Sequence, residues 1–375
     1  MAASAPALSF DFAPFLKSLD PCHTYTSTPL SGGLNNLTSR IVVSTSSEKH
    51  ECKFGSAKSV VAKYAPPYIA TIGEKAPFSQ FRQIIEARAL AFLTRAYSHP
   101  SVATPTLIHH DPSAHVMLMS DLGTSSLGVN QWLLSPNIRV EDAKSAGERF
   151  GSFFAHLGEL NPGLFNLDFE NPSARNLVLD VAVRAVHGDL LKCGIDPNVA
   201  DDLTRSAIES FELQTKYEEE LAFSLGDCWP PSLLVLDERG SGLAVIDWEF
   251  AGMNFPLQDI AQLTAHLYLL HQSSRSSYQA VIKAFALSLF QAHYASAAPR
   301  HYGLLQRTNA WKLLGREIVI NAVEGEWFGE HEERKQSEVR RIGRVGAGLM
   351  KDAMEIARDG FVANAPPFES FFSQL

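Results

Sequence analysis

The hydrophobic pattern of the chain changes once, near Gly123, and this change limits the folds open to it. Short apolar runs, often β-branched, precede Gly123 at residues 40–43, 59–63 and 115–119. Runs of this length favour strands. Between the second and third runs, apolar residues at helical spacing predict a helix over residues 81–95, with Phe81, Ile84, Ile85 and Leu93 on one face. The first third of the chain therefore predicts a small sheet with one helix.

Beyond Gly123 the apolar residues recur at helical spacing. The segments with this spacing are residues 141–160, 177–193, 199–217, 258–272, 278–294 and 330–359. One hairpin interrupts them: residues 233–236 and 243–246 are short apolar runs on either side of a turn, and the second run ends at Asp247. The pattern predicts an α+β chain with a small strand-rich part over residues 1–120 and a larger, mainly helical part over residues 121–375.

Composition excludes several functional classes. At 375 residues the chain is long enough for about two domains. Its 32 basic and 41 acidic residues argue against a nucleic-acid partner, which needs a basic face. No apolar run approaches the roughly 18 residues that span a bilayer, and the N-terminus lacks the pattern of a secretory signal. Four cysteines without CxxC spacing favour free thiols. We therefore expect a cytoplasmic protein without a membrane partner.

The hairpin and its flanks carry the residues with the clearest chemical meaning. Asp227 and Ser232 precede the hairpin, and Asp247 ends it. Phosphoryl transfer uses one carboxylate to orient the attacking hydroxyl and to take its proton, and a further carboxylate and oxygen to hold Mg²⁺. The spacing therefore indicates a phosphotransferase site, with Asp227 as the catalytic group and Ser232 and Asp247 as metal ligands.

Residues 225–235 and 245–249 resemble the catalytic loop and metal-binding Asp of the aminoglycoside phosphotransferase/choline kinase superfamily, whose usual pattern is HGDxxxxN, an apolar strand, a turn, and I-D-W/F. Four upstream segments resemble, in the family's order, its nucleotide loop, its lysine strand, its glutamate helix and its adenine hinge; they are residues 29–41, 61–63, 82–86 and 117–123. The motif pattern is most similar to methylthioribose kinase-like and fungal hydroxytryptamine kinase-like members. The resemblance implies a bilobal protein-kinase-like fold.

The resemblance also implies cofactors and residue roles. The chain would be an ATP- and Mg-dependent kinase that phosphorylates a hydroxyl group of a small molecule. Lys63 would contact the α and β phosphates, and Glu86 would hold Lys63 as an ion pair. Backbone groups of Met119 and Asp121 would bind the adenine edge. The nucleotide loop would contribute Gly32, Gly33 and Asn35.

Two departures from the family pattern keep an alternative open. Leu225 stands where the family usually has His, and Ser232 stands where Asn is commoner. The alternative is a weak or inactive pseudokinase that acts as a nucleotide-binding or interaction module. A protein kinase is less favoured, because no long activation segment with an Ala-Pro-Glu end follows Asp247.

A second segment, His187-Gly188-Asp189-Leu190, matches the HGD pattern more literally than residues 225–228. No strand follows it, and the residue five positions after Asp189 is Gly194, which has no ligand atom. Gly194 is typical of a helix end and Asp196-Pro197 of a helix start, so we interpret this segment as structural.

The acceptor and the oligomeric state are not specified by these patterns. Asp259 resembles the family's downstream Asp that braces the catalytic loop. Trp248 and Glu249 would either face the acceptor or pack. Glu324, Trp327 and Phe328 form an acidic and aromatic cluster at a predicted helix end, which is typical either of a surface loop or of a site for a cationic or aromatic molecule.

Overall fold

The computed structural model describes residues 10–31, 33–44, 54, 57–97, 99–165, 167–217, 220–297, 302–325, 327 and 332–358. Its N-terminal part is a five-stranded antiparallel sheet in the order β1-β2-β3-β5-β4. The strands are β1 Thr24–Pro29, β2 Leu37–Ser44, β3 Ser59–Tyr64, β4 Leu107–Asp111 and β5 Val116–Ser120. The three predicted strands are confirmed as β2, β3 and β5, whereas β1 and β4 have no clear apolar alternation and were not predicted.

The alternation of side chains along β3 and β5 gives the sheet two different faces. Val60 and Ala62 point to one face, where helix α1 (Ala13–Leu19) and its flanking Phe12 cover them. Val61 and Met119 belong to the opposite face, which looks toward the rest of the molecule. Lys63, two residues after Val61, shares that inner face, so the strand period alone points its ammonium group into the protein.

Helix α2 (Phe81–Ala96) crosses the inner side of the sheet and confirms the predicted helix. Of the predicted apolar face, Ile85 and Leu93 are fully buried and Phe81 packs against the same core, while Ile84 is only partly buried. The helix packs against the sheet on one side and against residues 248–250 on the other, so it also buries polar side chains on a second face. That second face carries Glu86.

The C-terminal part is mainly helical. Its helices are α3 Val129–Leu133, α4 Val140–Leu157, α5 Pro172–Val178, α6 Val186–Lys192, α7 Pro197–Leu213, α8 Gln258–Ser273, α9 Ser276–Ser296, α10 Leu304–Glu324 and α11 Glu332–Arg358. The predicted helix over residues 177–193 is not one regular helix, because a turn of π-helix separates α5 from α6. Among the described residues, no helix is both long and apolar enough to cross a membrane.

Helices α4 and α9 form the most extensive helix pair of this part. Gly147 and Gly151 allow them to approach closely, since a Cβ atom at either position would lie within 2.5 Å of an α9 backbone carbonyl oxygen, at 2.3 Å from Phe285 and 2.1 Å from Leu289. This pair supports the apolar core beneath the hairpin, which includes Phe150, Phe153 and Trp248.

Two small antiparallel sheets hold the predicted hairpin. Strands β8 (Leu233–Val235) and β9 (Leu243–Val245) form the hairpin, and β6 (Leu127–Gly128) extends it. Strand β7 (Ala222–Ser224) pairs with β10 (Gly252–Asn254). The two pairings fix both ends of the segments that carry the candidate catalytic residues. The small sheet followed by a larger helical part confirms the predicted α+β class.

Candidate active site

Two cavities meet at the junction of the sheet and the helical part. The first, which we call the interlobe cleft, has a volume of about 540 Å³ and lies between the inner sheet face and the hairpin. The second, the helical cavity, has a volume of about 390 Å³ and lies among the C-terminal helices. Four residues line both: Leu34, Asn35, Trp229 and Asp247. A group bound in one cavity and a group bound in the other would therefore come closest to each other at these residues.

Lys63 lies between two carboxylates at the back of the interlobe cleft. Its Nζ atom is 2.8 Å from an oxygen of Glu86 and 2.6 Å from Oδ1 of Asp247. Burial opposes the charged form, but Asp247 and Glu86 outweigh it and raise the pKa of Lys63 above its ordinary value. Lys63 is thus a fixed, buried cation in a cleft large enough for a nucleotide.

The other residues predicted to bind nucleotide lie around the same cleft. Gly33, Asn35, Met119 and Asp121 all line it. Gly32 lies outside the described residues. The structure therefore brings together each described residue of the predicted nucleotide site, although their separate roles stay predictions.

The side chain of Asp121 has a structural partner that the sequence did not suggest. Its carboxylate accepts hydrogen bonds from Arg40 at 2.6 and 3.0 Å, from Ser59 Oγ at 2.7 Å and from the amide of Gly123 at 3.0 Å. Burial raises the pKa of Asp121, but these bonds outweigh it and lower the pKa below its ordinary value. The segment after β5 is therefore tied to β2 and β3.

Asp247 adopts a left-handed backbone conformation, with φ 69° and ψ 57°. A residue other than glycine rarely adopts it without being held by its surroundings. Here the amide of Ile246 donates to the carbonyl of Ser232, and the indole of Trp248 donates to the carbonyl of Val245. The turn places the Asp247 carboxylate in the wall between the two cavities.

Asp227 lies on the helical-cavity side of this wall, in a loop that helix α8 holds at three points. Asp259 accepts from the amides of Leu225 and Gly226 at 2.8 and 3.0 Å, which confirms its predicted bracing role. Gln258 donates to the carbonyl of Gly226 at 3.3 Å. Gln262 donates to Oδ1 of Asp227 at 2.7 Å and accepts from the amide of Cys228. Leu225, which stands where the family usually has His, is fully buried.

The surroundings of Asp227 change its acidity. Removal from water raises the pKa of Asp227 to about 7, and the negative charge of Asp247 adds to the increase, while the bond from Gln262 opposes it. A carboxylate with a pKa near neutrality is a better proton acceptor than an ordinary aspartate.

Gly226 is required by the shape of this loop. It has φ 86°, and a Cβ atom there would lie 1.9 Å from the carbonyl oxygen of Phe250. We expect Gly226→Ala to destabilise the protein by about 1–3 kcal/mol and to lower activity, because the backbone next to Asp227 must move. Urea unfolding and steady-state kinetics measure both effects.

Gly188→Ala is the matched control for this substitution. Gly188 lies inside α6, and a Cβ atom there would contact nothing within 4 Å. Alanine in a helix interior is favoured over glycine by roughly 1 kcal/mol, so this variant should be as stable as the parent or more so. Equal stability of the two variants would contradict the role assigned to Gly226.

The oxygen atoms near Asp247 fit a magnesium ion. The hydroxyl of Ser232 is buried and has no hydrogen-bond partner in the structure. It lines the interlobe cleft together with Asp247. Among the described residues, no cluster of three or more His, Cys, Asp and Glu side chains is arranged for a metal. Mg²⁺ commonly binds through one or two carboxylates and takes its other ligands from phosphates and water, so this sparse donor set suits it.

The segment that matches the HGD pattern literally, residues 187–190, lies outside both cavities. Asp189 is buried in α6, where its carboxylate pairs with Lys192 at 2.9 Å, and it lines neither cavity. Gly194 has φ 76° after the helix, and Asp196 caps α7 by accepting from the amides of Asn198 and Val199. The predicted helix end and start are confirmed.

The helical cavity has aromatic and charged walls. Phe211, Trp229 and Phe255 line it, as do Glu317 and Glu324. Glu324 is the last residue of α10, so the predicted helix end is confirmed there. Trp327 is partly buried against the core, and Phe328 lies outside the described residues.

Sequence reasoning missed a polar network behind the cleft. Glu249 is buried and bonds Asn35, Asn36 and Arg82. Trp248 is also fully buried, so both residues after Asp247 pack within the protein. The partners of Glu249 are far from it in sequence and follow no periodic pattern, so no local signal could have identified them.

Comparison with known proteins agrees with this geometry. The model of the phosphotransferase enzyme family matches residues 56–300. A 4-hydroxytryptamine kinase from Psilocybe cyanescens is 23% identical over 351 residues, covering 86% of this chain and 91% of the relative. A candidate aminoglycoside phosphotransferase from Ralstonia eutropha JMP134 has a TM-score of 0.53 at 11% identity, covering 92% of this chain and 97% of that chain. The GDP and kanamycin complex of APH(2″)-IIia has a TM-score of 0.47 at 16% identity, covering 92% and 98%.

Proposed function

The chain belongs to the phosphotransferase enzyme family and has its protein-kinase-like fold. We propose that, with Mg²⁺ bound, it transfers the γ-phosphoryl group of ATP to a hydroxyl group of a small molecule. One observation carries the proposal: a cleft with the buried Lys63 cation and a cavity with Asp227 share a wall at Asp247. A phosphate donor on one side and an alcohol on the other would meet there.

Asp227 would act on the acceptor. The hydroxyl oxygen attacks the γ phosphorus and forms the new P–O bond, the bond from the γ phosphorus to the bridging oxygen breaks, and ADP leaves. The hydroxyl proton passes to the Asp227 carboxylate. Gln262 holds Oδ1 at 2.7 Å, which leaves Oδ2 for the proton.

The interlobe cleft would hold the nucleotide. Lys63, held by Glu86, would contact the α and β phosphates, and the backbone of Met119 and Asp121 would bind the adenine edge. Gly32 and Gly33 would lie along the phosphates. Ser232 and Asp247 would bind Mg²⁺, which when present neutralises charge that develops on the phosphates.

We further propose a boundary between the two lobes at residues 120 and 121, where β5 ends. A cytoplasmic site of action is supported by the free thiols of Cys193 and Cys228, which persist where the surroundings are reducing.

The acceptor would occupy the helical cavity. Its aromatic walls would suit a flat alcohol, and its four acidic side chains, set against the two basic ones of Lys312 and Arg316, would favour one that also carries a positive charge. The similarity to a 4-hydroxytryptamine kinase makes hydroxyindole amines the first compounds to test.

The proposal is tested by incubating the purified protein with Mg²⁺ and γ-labelled ATP and a panel of hydroxyindole amines, amino sugars, choline-like amines and thio-sugars. We expect labelled phosphate on at least one acceptor, at a rate that EDTA abolishes. Binding of ATP with no transfer to any acceptor, including those of a cell extract, would instead support the alternative of an inactive nucleotide-binding module.

A further inference from the structure

Glu249 occupies an unusual place for a charged side chain. It is 2% exposed, and it lies two residues after Asp247 in the turn that packs on α2. A buried carboxylate is stable only when hydrogen bonds or opposite charges replace water. Its partners therefore indicate what it does.

Both oxygens of Glu249 are bonded to one short loop. Oε1 accepts from the side-chain amide of Asn35 at 2.8 Å, and Oε2 accepts from that of Asn36 at 2.8 Å. Asn35 and Asn36 belong to the loop of residues 33–36, which precedes β2 and lines the interlobe cleft. The carboxylate thus joins the loop to the turn that carries Asp247.

Arg82 completes the contact from helix α2. Its Nε is 3.2 Å from Oε2 of Glu249 and from Oδ1 of Asn36, and its Nη2 donates to the carbonyl of Asn35 at 3.0 Å. Its remaining donors bond the carbonyls of Phe78, Ser79 and Pro66. Because Arg82 lies one helical turn before Glu86, the same helix positions the loop and the partner of Lys63.

We propose that Glu249 is a positioning residue that clasps the loop of residues 33–36 to α2 and to the turn of Asp247. With the clasp closed, the loop is held in the shape that lines the cleft before any ligand arrives. A nucleotide then binds without first ordering the loop, which raises its affinity. In the clasp the side chain of Asn35 bonds Glu249, so it would not bind the nucleotide.

Hydrogen exchange of the amides of Ala70 and Thr71, which donate to the carbonyls of Asn35 and Leu34 in the loop, tests the clasp directly without nucleotide or metal. We expect Glu249→Ala to speed their exchange roughly tenfold or more. The double variant Asn35→Ala, Asn36→Ala should do the same while it leaves the Arg82–Glu249 pair in place, so it serves if Glu249→Ala does not fold. Combining all three substitutions should add little, since they remove one interaction.

Nucleotide affinity gives the second readout and depends on the proposed function. In EDTA, the affinity for a fluorescent ADP analogue should fall about tenfold in both kinds of variant. Glu74→Ala is the control, because it removes an exposed carboxylate from the turn that follows Thr71 and leaves the bonds of the clasp in place. Its exchange and affinity should match the parent.

The outcomes separate the clasp from the proposed function. If the variants exchange faster than the parent but the parent binds no nucleotide, the clasp is supported and the kinase proposal is rejected. Unchanged exchange in the variants would overturn the clasp, and an affinity loss seen only with Mg²⁺ would show that Glu249 acts on the metal.

Discussion

Asp227→Asn should lower kcat by about 10²–10⁴-fold, the usual contribution of a positioned general base. Asparagine has the same shape and can keep the bond from Gln262, but its amide cannot accept the acceptor's proton. The fold should therefore be preserved, and the loss should appear in kcat more than in KM. Steady-state kinetics with the acceptor found by the γ-phosphate assay measure this.

Asp189→Asn is the control, because Asp189 belongs to the more literal HGD segment yet lines neither cavity. Its activity should stay close to that of the parent. If instead Asp189→Asn lost activity and Asp227→Asn kept it, the catalytic assignment would be reversed.

The pH profile of the parent gives an independent check on Asp227. Its pKa is raised to about 7, and only the deprotonated form can accept a proton. The ratio kcat/KM should therefore fall about tenfold per pH unit below pH 7 and level off above it. A limb near pH 4, the ordinary value of aspartate, would show that a different group limits the reaction.

Asp247→Asn should abolish the magnesium-dependent part of the stabilisation that Mg-ATP confers on the protein. A ligand at about one hundred times its Kd stabilises the folded state by about 2.7 kcal/mol, which for a chain of 375 residues corresponds to a rise in Tm of roughly 3–4 °C. Without the Asp247 carboxylate, ATP should give the same small shift with or without Mg²⁺. Because a metal supplies several kcal/mol at the transition state, kcat should also fall by at least ~10²-fold.

Two further variants make this experiment specific. Asp237→Asn is the control, because Asp237 lies in the turn of the same hairpin and accepts hydrogen bonds from Ser241 and Gly242. It should lower stability but retain the magnesium-dependent shift. Ser232→Ala should reduce that shift only in part, since a hydroxyl is a weaker ligand than a carboxylate. A full magnesium-dependent shift in Asp247→Asn would remove Asp247 from the metal site.

The sequence was sufficient to identify candidate site residues that lie in a recognisable local segment. Lys63 could be placed because residues 61–63 resemble the lysine strand of the family. Asp247 could be placed because a carboxylate at the end of an apolar strand is expensive to bury without a purpose.

The sequence was insufficient to identify strands and residue pairs that depend on tertiary contacts. Strands β7 and β10 are three residues each and are too short for a periodic signal. Glu249 finds its asparagine partners more than two hundred positions away, and Gln262 is an unremarkable polar residue on α8 until the loop of Asp227 is seen to lie against it. Such pairs depend on how the whole chain packs.

The bonds of Arg40 determine where this molecule can bend. Arg40 on β2 holds the carboxylate of Asp121 and also the carbonyl of Gly123 at 2.8 Å. Residues 121–123 are thus fastened to the sheet although they follow the proposed boundary, so that if the cleft opened they would rotate with the sheet and the hinge would lie beyond Gly123. A base bound to this segment would travel with the sheet, so opening the cleft would draw the nucleotide away from the acceptor and leave the acceptor in place among the helices.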